Sequence, residues 1–310
     1  MKAVRLHSYG GPEVLVYEEA PRPTPEAGEV LVRVHAAGVN PVDRSTRVGY
    51  LQQMVNFALP LIPGLDLAGV VEELGPDVST VAVGDAIYGF SNMVRQGAYA
   101  EYARIGVGEF APKPATVDFV TAAAVPLSAL AAWQALNDVA GLQAGQTVLI
   151  QGAGGGVGSF AVQFAASKGA RVIATEEGSK ADFLRGLGAA EVIDHTTTRF
   201  EEVVHDVDVV LDLVGGEVQT RSFAVLKSGG ILVTTMGQPD AEAAGARGVR
   251  ASGIMTQANS TQLREIAALI DAGTVRSVVA QVFPLAEAAQ AHALLDSGRA
   301  GGKIVLRVGA

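Results

Sequence analysis

The sequence predicts an α/β protein in two parts, a doubly wound parallel sheet and a β-rich, barrel-like domain. Three observations carry this. The glycine run QGAGGGVG at 151–158 lies between an apolar strand and a helical pattern. After it, near-continuous Val/Ile/Leu strands alternate with helices, as in a parallel sheet covered on both faces. Before it, short β segments are punctuated by Gly and Pro and no long helix intervenes.

In the first part, residues 1–6, 14–18, 29–36, 68–74, 85–88 and 98–103 read as strands. Gly10-Gly11-Pro12, the Pro21 to Pro25 stretch, Pro63-Gly64 and Gly75-Pro76-Asp77 turn the chain between them. Segment 117–137 reads as an apolar helix leading into the second part. There, 147–150 is a buried strand, and Gly152, Ala153, Gly154, Gly155, Gly156 and Val157 form a turn and a helix start. The turn has no side chains to block a pyrophosphate, and the first helical N–H groups point at it. Val157, Ala161, Phe164, Ala165 and Lys168 fall at three- and four-residue steps and give the helix one apolar stripe. A strand at 171–175 ends in Glu176, roughly 20 residues past the glycines, where an acidic residue meets a ribose. A helix at 179–187 and strands at 191–194, 207–214, 231–236 and, more weakly, 248–255 complete a Rossmann-type domain. Residues 241–246 read as a loop or a helical turn. The tail (strand 278–283, helix 285–295, strand 303–306) returns to β character and is expected to rejoin the first domain. The expected division is 1–122 with 274–310 for the catalytic domain and 123–273 for the dinucleotide domain. The active site is expected in the cleft where the parallel strands end.

Composition narrows the function. At 310 residues, two domains are the natural expectation, and 49% apolar with 18% charged residues provides ample core. No apolar run has the length of a membrane span, and the first residues lack the apolar segment of a signal peptide. The absence of cysteine excludes disulfides and thiolate metal sites and fits a cytoplasmic setting. A net charge of −9, with scattered basic residues, argues against a nucleic-acid partner.

The order of motifs then resembles, nearly end to end, the zinc-independent quinone oxidoreductase branch of the medium-chain dehydrogenase/reductase superfamily. The matching stretches are MKAVRLHSYGGPEVL, AAGVNPVDR, PGLDLAGVVEELGPDV, VGDAIYG, GAYAEYA, AAAVPLSALAAWQAL, AGGGVGSFAVQFA, LGAAEVID, DVVLDLVGG and GGKIVLRV. The resemblance implies a GroES-like catalytic domain, a Rossmann domain, NADPH as the usual hydride donor, a small-molecule substrate, and a homodimer formed through an edge strand such as 248–255. It does not specify a substrate. Zinc-using relatives place a cysteine in the segment matching 38–40 and a His-Glu pair in that matching 64–66, where this chain has Asn40 and Leu65. A catalytic zinc needs three converging protein donors. His7, His35, His195, His205 and His292 have no ligand spacing and read as structural, so no metal is expected. Without a Lewis acid, hydride goes most easily to an enone or quinone, whose oxygen takes up the charge.

Asn40 matches the family's active-site position, where its amide either donates to a carbonyl or holds the nicotinamide ribose. The alternative is an Asn satisfying a strand-end turn. Tyr50 either hydrogen-bonds the acceptor carbonyl, or passes a proton to the α-carbon, or is a surface tyrosine. Ser45 stands where relatives often carry a tyrosine, which leaves water as a proton source. Val214-Gly215 and Met236-Gly237 end strands and are expected along the nicotinamide. Ser128, with Ala131 and Trp133, matches the helix facing it, and Trp133 reads as core. Glu176 and Glu177 favour the free ribose hydroxyls of NADH, against the family's NADPH, while Lys180 could hold a 2′-phosphate. The leading expectation is an NAD(P)H-dependent enone or quinone reductase. A pathway-specific enoyl or ketone reductase and a non-catalytic dinucleotide-binding protein are the alternatives.

Overall fold

A computed structural model describes residues 1–95 and 97–309; Gln96 and Ala310, both within the ranges expected for the catalytic domain, lie outside the described residues. The chain divides into two compact units, one of residues 1–127, 258–273 and 277–310, the other of residues 128–257 and 274–276.

The second unit is a six-stranded, all-parallel sheet. From edge to edge its strands are Glu191–Asp194, Arg171–Glu176, Thr147–Gln151, Val207–Asp212, Leu226–Thr234 and Arg250–Gly253. In sequence order that is 3-2-1-4-5-6, the Rossmann order, with its switch point between Thr147–Gln151 and Val207–Asp212. Leu149, Ile173, Val210 and Leu232 are fully or nearly fully buried along these strands, so the continuous apolar pattern reflects a sheet with no wet face. Helix Gly156–Ser167 packs its buried stripe, including Phe160, Ala161, Phe164 and Ala165, against the sheet. Trp133 meets Phe164 edge to face at 5.3 Å, a packing role.

In the first unit a seven-stranded sheet contains Val279–Pro284, Lys303–Arg307, Glu29–Val39, Asp66–Leu74, Ala86–Phe90 and Phe110–Pro112 in that order, and Tyr102–Gly106 also pairs with Glu29–Val39. The tail strand Lys303–Arg307 runs antiparallel to Glu29–Val39. Val30, Val32, Val34, Leu67, Ile87, Ile105, Ile304 and Leu306 form the core of this sheet. Lys2–Leu6 and Leu15–Glu19 form a separate antiparallel pair.

The local structure departs from the sequence expectation in several places. The helix expected over 117–137 is broken into Phe119–Ala123, Pro126–Trp133 and a π-helical Gln134–Val139, because Pro126 cannot continue the first helix. The strand expected at 98–103 starts at Tyr102, since Ala98 and Tyr99 donate instead to Gly64 and Pro63 carbonyls. Helix Ser260–Asp271 groups with the first unit, although strand–helix alternation puts its residues with the second. Tyr88 donates to the Leu263 carbonyl at 2.5 Å, and Asp271 accepts from Ala115 and Thr116. By contrast, residues 241–246, read as a loop or a helical turn, form the short helix Ala241–Gly245, capped by Asp240. Among the described residues, no helix is long and apolar enough to cross a membrane.

Candidate active site

Strand Thr147–Gln151 leads into a turn built on glycine. Gly152 has φ +71°, and a Cβ on Gly158 would stand 2.5 Å from the Gly152 carbonyl oxygen, so helix and turn approach backbone to backbone. Gly155 caps helix Gly156–Ser167 in an extended conformation. The N–H groups of Gly156, Val157 and Gly158 have no intrahelical carbonyl to meet, and the helix dipole adds positive potential there. Ala153 is buried and donates to the Thr175 carbonyl, which ties the turn to the neighbouring strand.

Glu176 ends that neighbouring strand and bends over the turn. Its Oε2 accepts from the Gly154 N–H at 2.7 Å, and its Oε1 accepts from Lys180 Nζ at 3.0 Å. A Cβ on Gly154 would run into this carboxylate, so the glycine is needed for the contact itself. Glu176 and Lys180 are thus brought onto the glycine turn as an i,i+4 ion pair.

Asp212 organises the other half of the edge. Fully buried at the end of Val207–Asp212, it accepts from Val214 N at 3.0 Å and Gly215 N at 2.9 Å, and from Gln219 Nε2 and the Thr234 hydroxyl, each at 2.9 Å. Thr234 in turn accepts from Met236 N at 3.0 Å. One carboxylate therefore fixes the loops carrying Val214, Gly215, Met236 and Gly237. A Cβ on Gly215 would touch Met236 at 3.0 Å, and one on Gly152 would touch Val214 at 3.2 Å, so the two loops and the glycine turn are neighbours. Gln151 and Thr175 brace the same edge from below: the Thr175 hydroxyl donates to Gln151 Oε1 at 2.5 Å, and Gln151 Nε2 donates to Ser222 Oγ at 3.2 Å. Ser128 is buried in helix Pro126–Trp133 and, among the described residues, takes no part in these hydrogen bonds. The sequence reading missed Asp212, Gln151 and Thr175. The available signal was a polar residue closing each otherwise apolar strand.

In the first unit Asn40 ends strand Glu29–Val39 and precedes helix Pro41–Arg47, its backbone N–H donating to Asp43 Oδ2 at 2.8 Å. Only 1% exposed, it donates from Nδ2 to Asp66 Oδ2 at 3.0 Å and accepts from the Lys303 ammonium. The amide sense is forced, because a carboxylate can only accept and an ammonium can only donate. Asp66 also accepts from Leu127 N at 2.9 Å and lies 3.6 Å from Lys303 Nζ. Burial raises the Asp66 carboxyl and lowers the Lys303 ammonium, and their attraction opposes both shifts. Beside them, the Tyr99 hydroxyl donates to Asp43 Oδ2 at 3.1 Å and meets His292 Nε2 at 3.2 Å. Burial pushes Asp43 up to about 7, burial and the Arg47 charge push His292 down to about 3, and the buried Tyr99 is raised. Tyr50 is not part of this network. It begins a short 3₁₀ turn after Gly49 and is 73% exposed. Lys303 and Asp43 were not foreseen, although a lysine opening the apolar run KIVL was a usable signal. Among the described residues no group of three or more His, Cys, Asp or Glu is placed to hold a metal ion.

Comparison with known proteins gives the same architecture. Residues 26–119 match the alcohol dehydrogenase GroES-like domain family, and residues 187–306 match a family described as zinc-binding dehydrogenase. The chain is 33% identical over 327 residues to a quinone oxidoreductase of Rattus norvegicus, covering 99% of this chain and 98% of that one. It is 34% identical over 321 residues to a 2-methylene-furan-3-one reductase of Solanum lycopersicum, covering 99% and 79%. The solved structure of a quinone oxidoreductase from Coxiella burnetii superposes with a TM-score of 0.93 at 35% identity, over 100% of this chain and 99% of that one.

Proposed function

The chain belongs to the zinc-independent quinone oxidoreductase branch of the medium-chain dehydrogenase/reductase superfamily, and from that premise we propose that it reduces an activated C=C bond or a quinone with NAD(P)H. The observation that carries this reading is the ordered C-terminal edge of the parallel sheet, in a chain that resembles quinone oxidoreductases over its whole length.

The residues of that edge fit a dinucleotide. Gly152 to Val157 and the helix N-terminus take the pyrophosphate, Glu176 takes a ribose, and Val214, Gly215, Met236 and Gly237 take the nicotinamide, with Ser128 in the same set. When bound, the dihydronicotinamide supplies a hydride. An enone accepts it at the β-carbon and a quinone at the ring, and negative charge passes to the acceptor oxygen, where a hydrogen-bond donor stabilises it. We assign that donation to the second Nδ2 hydrogen of Asn40, the first being held by Asp66. The lysine contact at the amide oxygen polarises the remaining N–H. The proton that completes the reduction comes from Tyr50 or from water. Tyr50→Phe separates these: a fall in kcat of about 100-fold assigns proton delivery to the hydroxyl, and an unchanged kcat assigns it to water. No step requires a metal.

Within this reading NADH is accepted at least as well as NADPH. Glu176 is held over the turn by the Gly154 N–H and Lys180, and the remaining lone pairs of its carboxylate suit free ribose hydroxyls while its charge repels a 2′-phosphate. Lys180 spends its charge on Glu176. Glu176→Ser is expected to raise kcat/KM for NADPH relative to NADH by about tenfold, a change of about 1.4 kcal/mol. An unchanged ratio would reject the assignment. A non-catalytic dinucleotide-binding protein remains the second reading, favoured by Ser45, whose hydroxyl is turned back onto the Pro41 carbonyl at 3.2 Å. It predicts tight NAD(P)H binding without acceptor-dependent loss of nicotinamide absorbance.

A further inference from the structure

Val207–Asp212 and Leu226–Thr234 are adjacent strands of the parallel sheet and end level with each other, Asp212 pairing with Thr234 in the register. Both side chains are fully buried. A carboxylate has room for about four donors. Oδ1 of Asp212 accepts from the N–H groups of Val214 and Gly215, and Oδ2 accepts from Gln219 Nε2 and the Thr234 hydroxyl, so both oxygens are filled. All of these donors are neutral. A buried carboxylate held without a cation is costly, and an apolar residue would close the strand without that cost. What the carboxylate contributes is the geometry of the loops above it.

The Thr234 hydroxyl is the joint between two of those loops. It gives its hydrogen to Asp212 Oδ2 and accepts the Met236 N–H at 3.0 Å. A continuous run of directional bonds therefore ties the loop after one strand to the loop after the next. The first loop is also constrained by its backbone: Gly215 and Gly216 have φ of +78° and +58°, a path that favours glycine.

The contacts around the glycine turn are separate. Glu176, Gly154 and Lys180 share no residue with the Asp212 set. The edge thus has two halves with independent supports. In the reading above, ribose and pyrophosphate lie on the half with Glu176 and nicotinamide on the half with Asp212. Hydride transfer needs the reacting carbons about 3–3.5 Å apart, and a misplacement of about 1 Å costs about 100-fold.

We propose that Asp212 and Thr234 are positioning residues for hydride transfer. They hold the two strand-end loops as a single seat for the nicotinamide ring and, being buried, touch neither cofactor nor acceptor. This rests on the NAD(P)H-dependent reductase reading above.

The test compares NADH with ADP-ribose, which has the same ribose–pyrophosphate half and no nicotinamide. Thr234→Val keeps the shape of the side chain and removes the hydroxyl, so the Met236 N–H loses its acceptor. Dissociation constants are measured by calorimetry, and turnover is followed with NADH deuterated on one or the other face of C4. In Thr234→Val, NADH affinity is expected to fall about fivefold while ADP-ribose affinity stays within about twofold of wild type. The value of kcat should fall about tenfold or more, and deuterium should be transferred from both faces where the wild type uses one. Thr234→Ser, which retains the hydroxyl, should restore wild-type values. Asp212→Glu keeps the charge but moves the carboxylate on by one methylene, and should show the same split between the two ligands. If that variant does not fold, the two threonine variants decide alone. Equal losses for NADH and ADP-ribose overturn the proposal, because the pair would then serve the fold in general. So does a Thr234→Val protein with wild-type NADH affinity, kcat and face selectivity. Failure of the reductase reading looks different: the wild type binds NADH but reduces no acceptor, and the split between NADH and ADP-ribose still decides the proposal.

Discussion

The C-terminal edge of the parallel sheet in the second unit and the buried polar network of the first are built on opposite principles. The edge uses backbone: glycine N–H groups, a helix N-terminus and loops held by one buried carboxylate, Asp212, with four donors. The network uses side-chain charge: Asp43, Asp66 and Lys303, all buried, with Asn40, Tyr99 and His292 between them. A backbone site tolerates changes of charge but not of volume. A charge network tolerates neither loss of a partner nor a change of protonation, because an uncompensated buried charge is costly.

The sharpest way to break the comparison is a single methyl group on the edge. Gly158→Ala places a Cβ 2.5 Å from the Gly152 carbonyl oxygen and 2.6 Å from Ala153 Cα, neither of which can rotate away. The helix must lift from the turn. NAD(P)H affinity, read by fluorescence titration, should fall about tenfold or more, and urea unfolding should register a loss of about 1–3 kcal/mol. Wild-type affinity in this variant would mean that the turn does not hold the pyrophosphate.

The network should respond to pH. Asp43 titrates near the ordinary carboxylate value of 3.8 when unfolded and at about 7 when folded. Between those limits the folded chain holds a proton that the unfolded chain has released. Stability therefore declines as pH rises from about 4 to about 7 and is level, for this group, above that. Asp43→Asn removes the titration while leaving an oxygen to accept from Asn40 N and Tyr99. Urea unfolding at about pH 5 and about pH 8 should give the variant a smaller loss of stability than the wild type over that interval. An identical pH dependence would show that the Asp43 carboxylate is compensated in the fold.

The two regions also differed in how far the sequence revealed them. The edge was legible because its determinants are contiguous. Strand, glycines and helix occupy residues 147–167, and Glu176 follows at a spacing set by the length of one helix and one strand. Asp212 was missed although it interrupts an apolar strand, since a pattern of burial does not say which loop a carboxylate will cap. The network was largely illegible. Residues 40 and 43 share one helix start, but 66, 99, 292 and 303 come from four other segments, and only the sheet register that sets Lys303–Arg307 against Glu29–Val39 brings lysine and asparagine together. Helix Ser260–Asp271 was passed over because its apolar face is narrow, and the break at Pro126 was obscured by the alanine-rich apolar run around it.

The central claim is that this chain delivers a hydride to an activated acceptor without help from a metal. The direct measurement is acceptor-dependent loss of nicotinamide absorbance by protein treated with a strong chelator and assayed for metal content. The account predicts turnover of an enone or a quinone at the untreated rate with no stoichiometric metal. Activity that disappears on chelation and returns with zinc would contradict it.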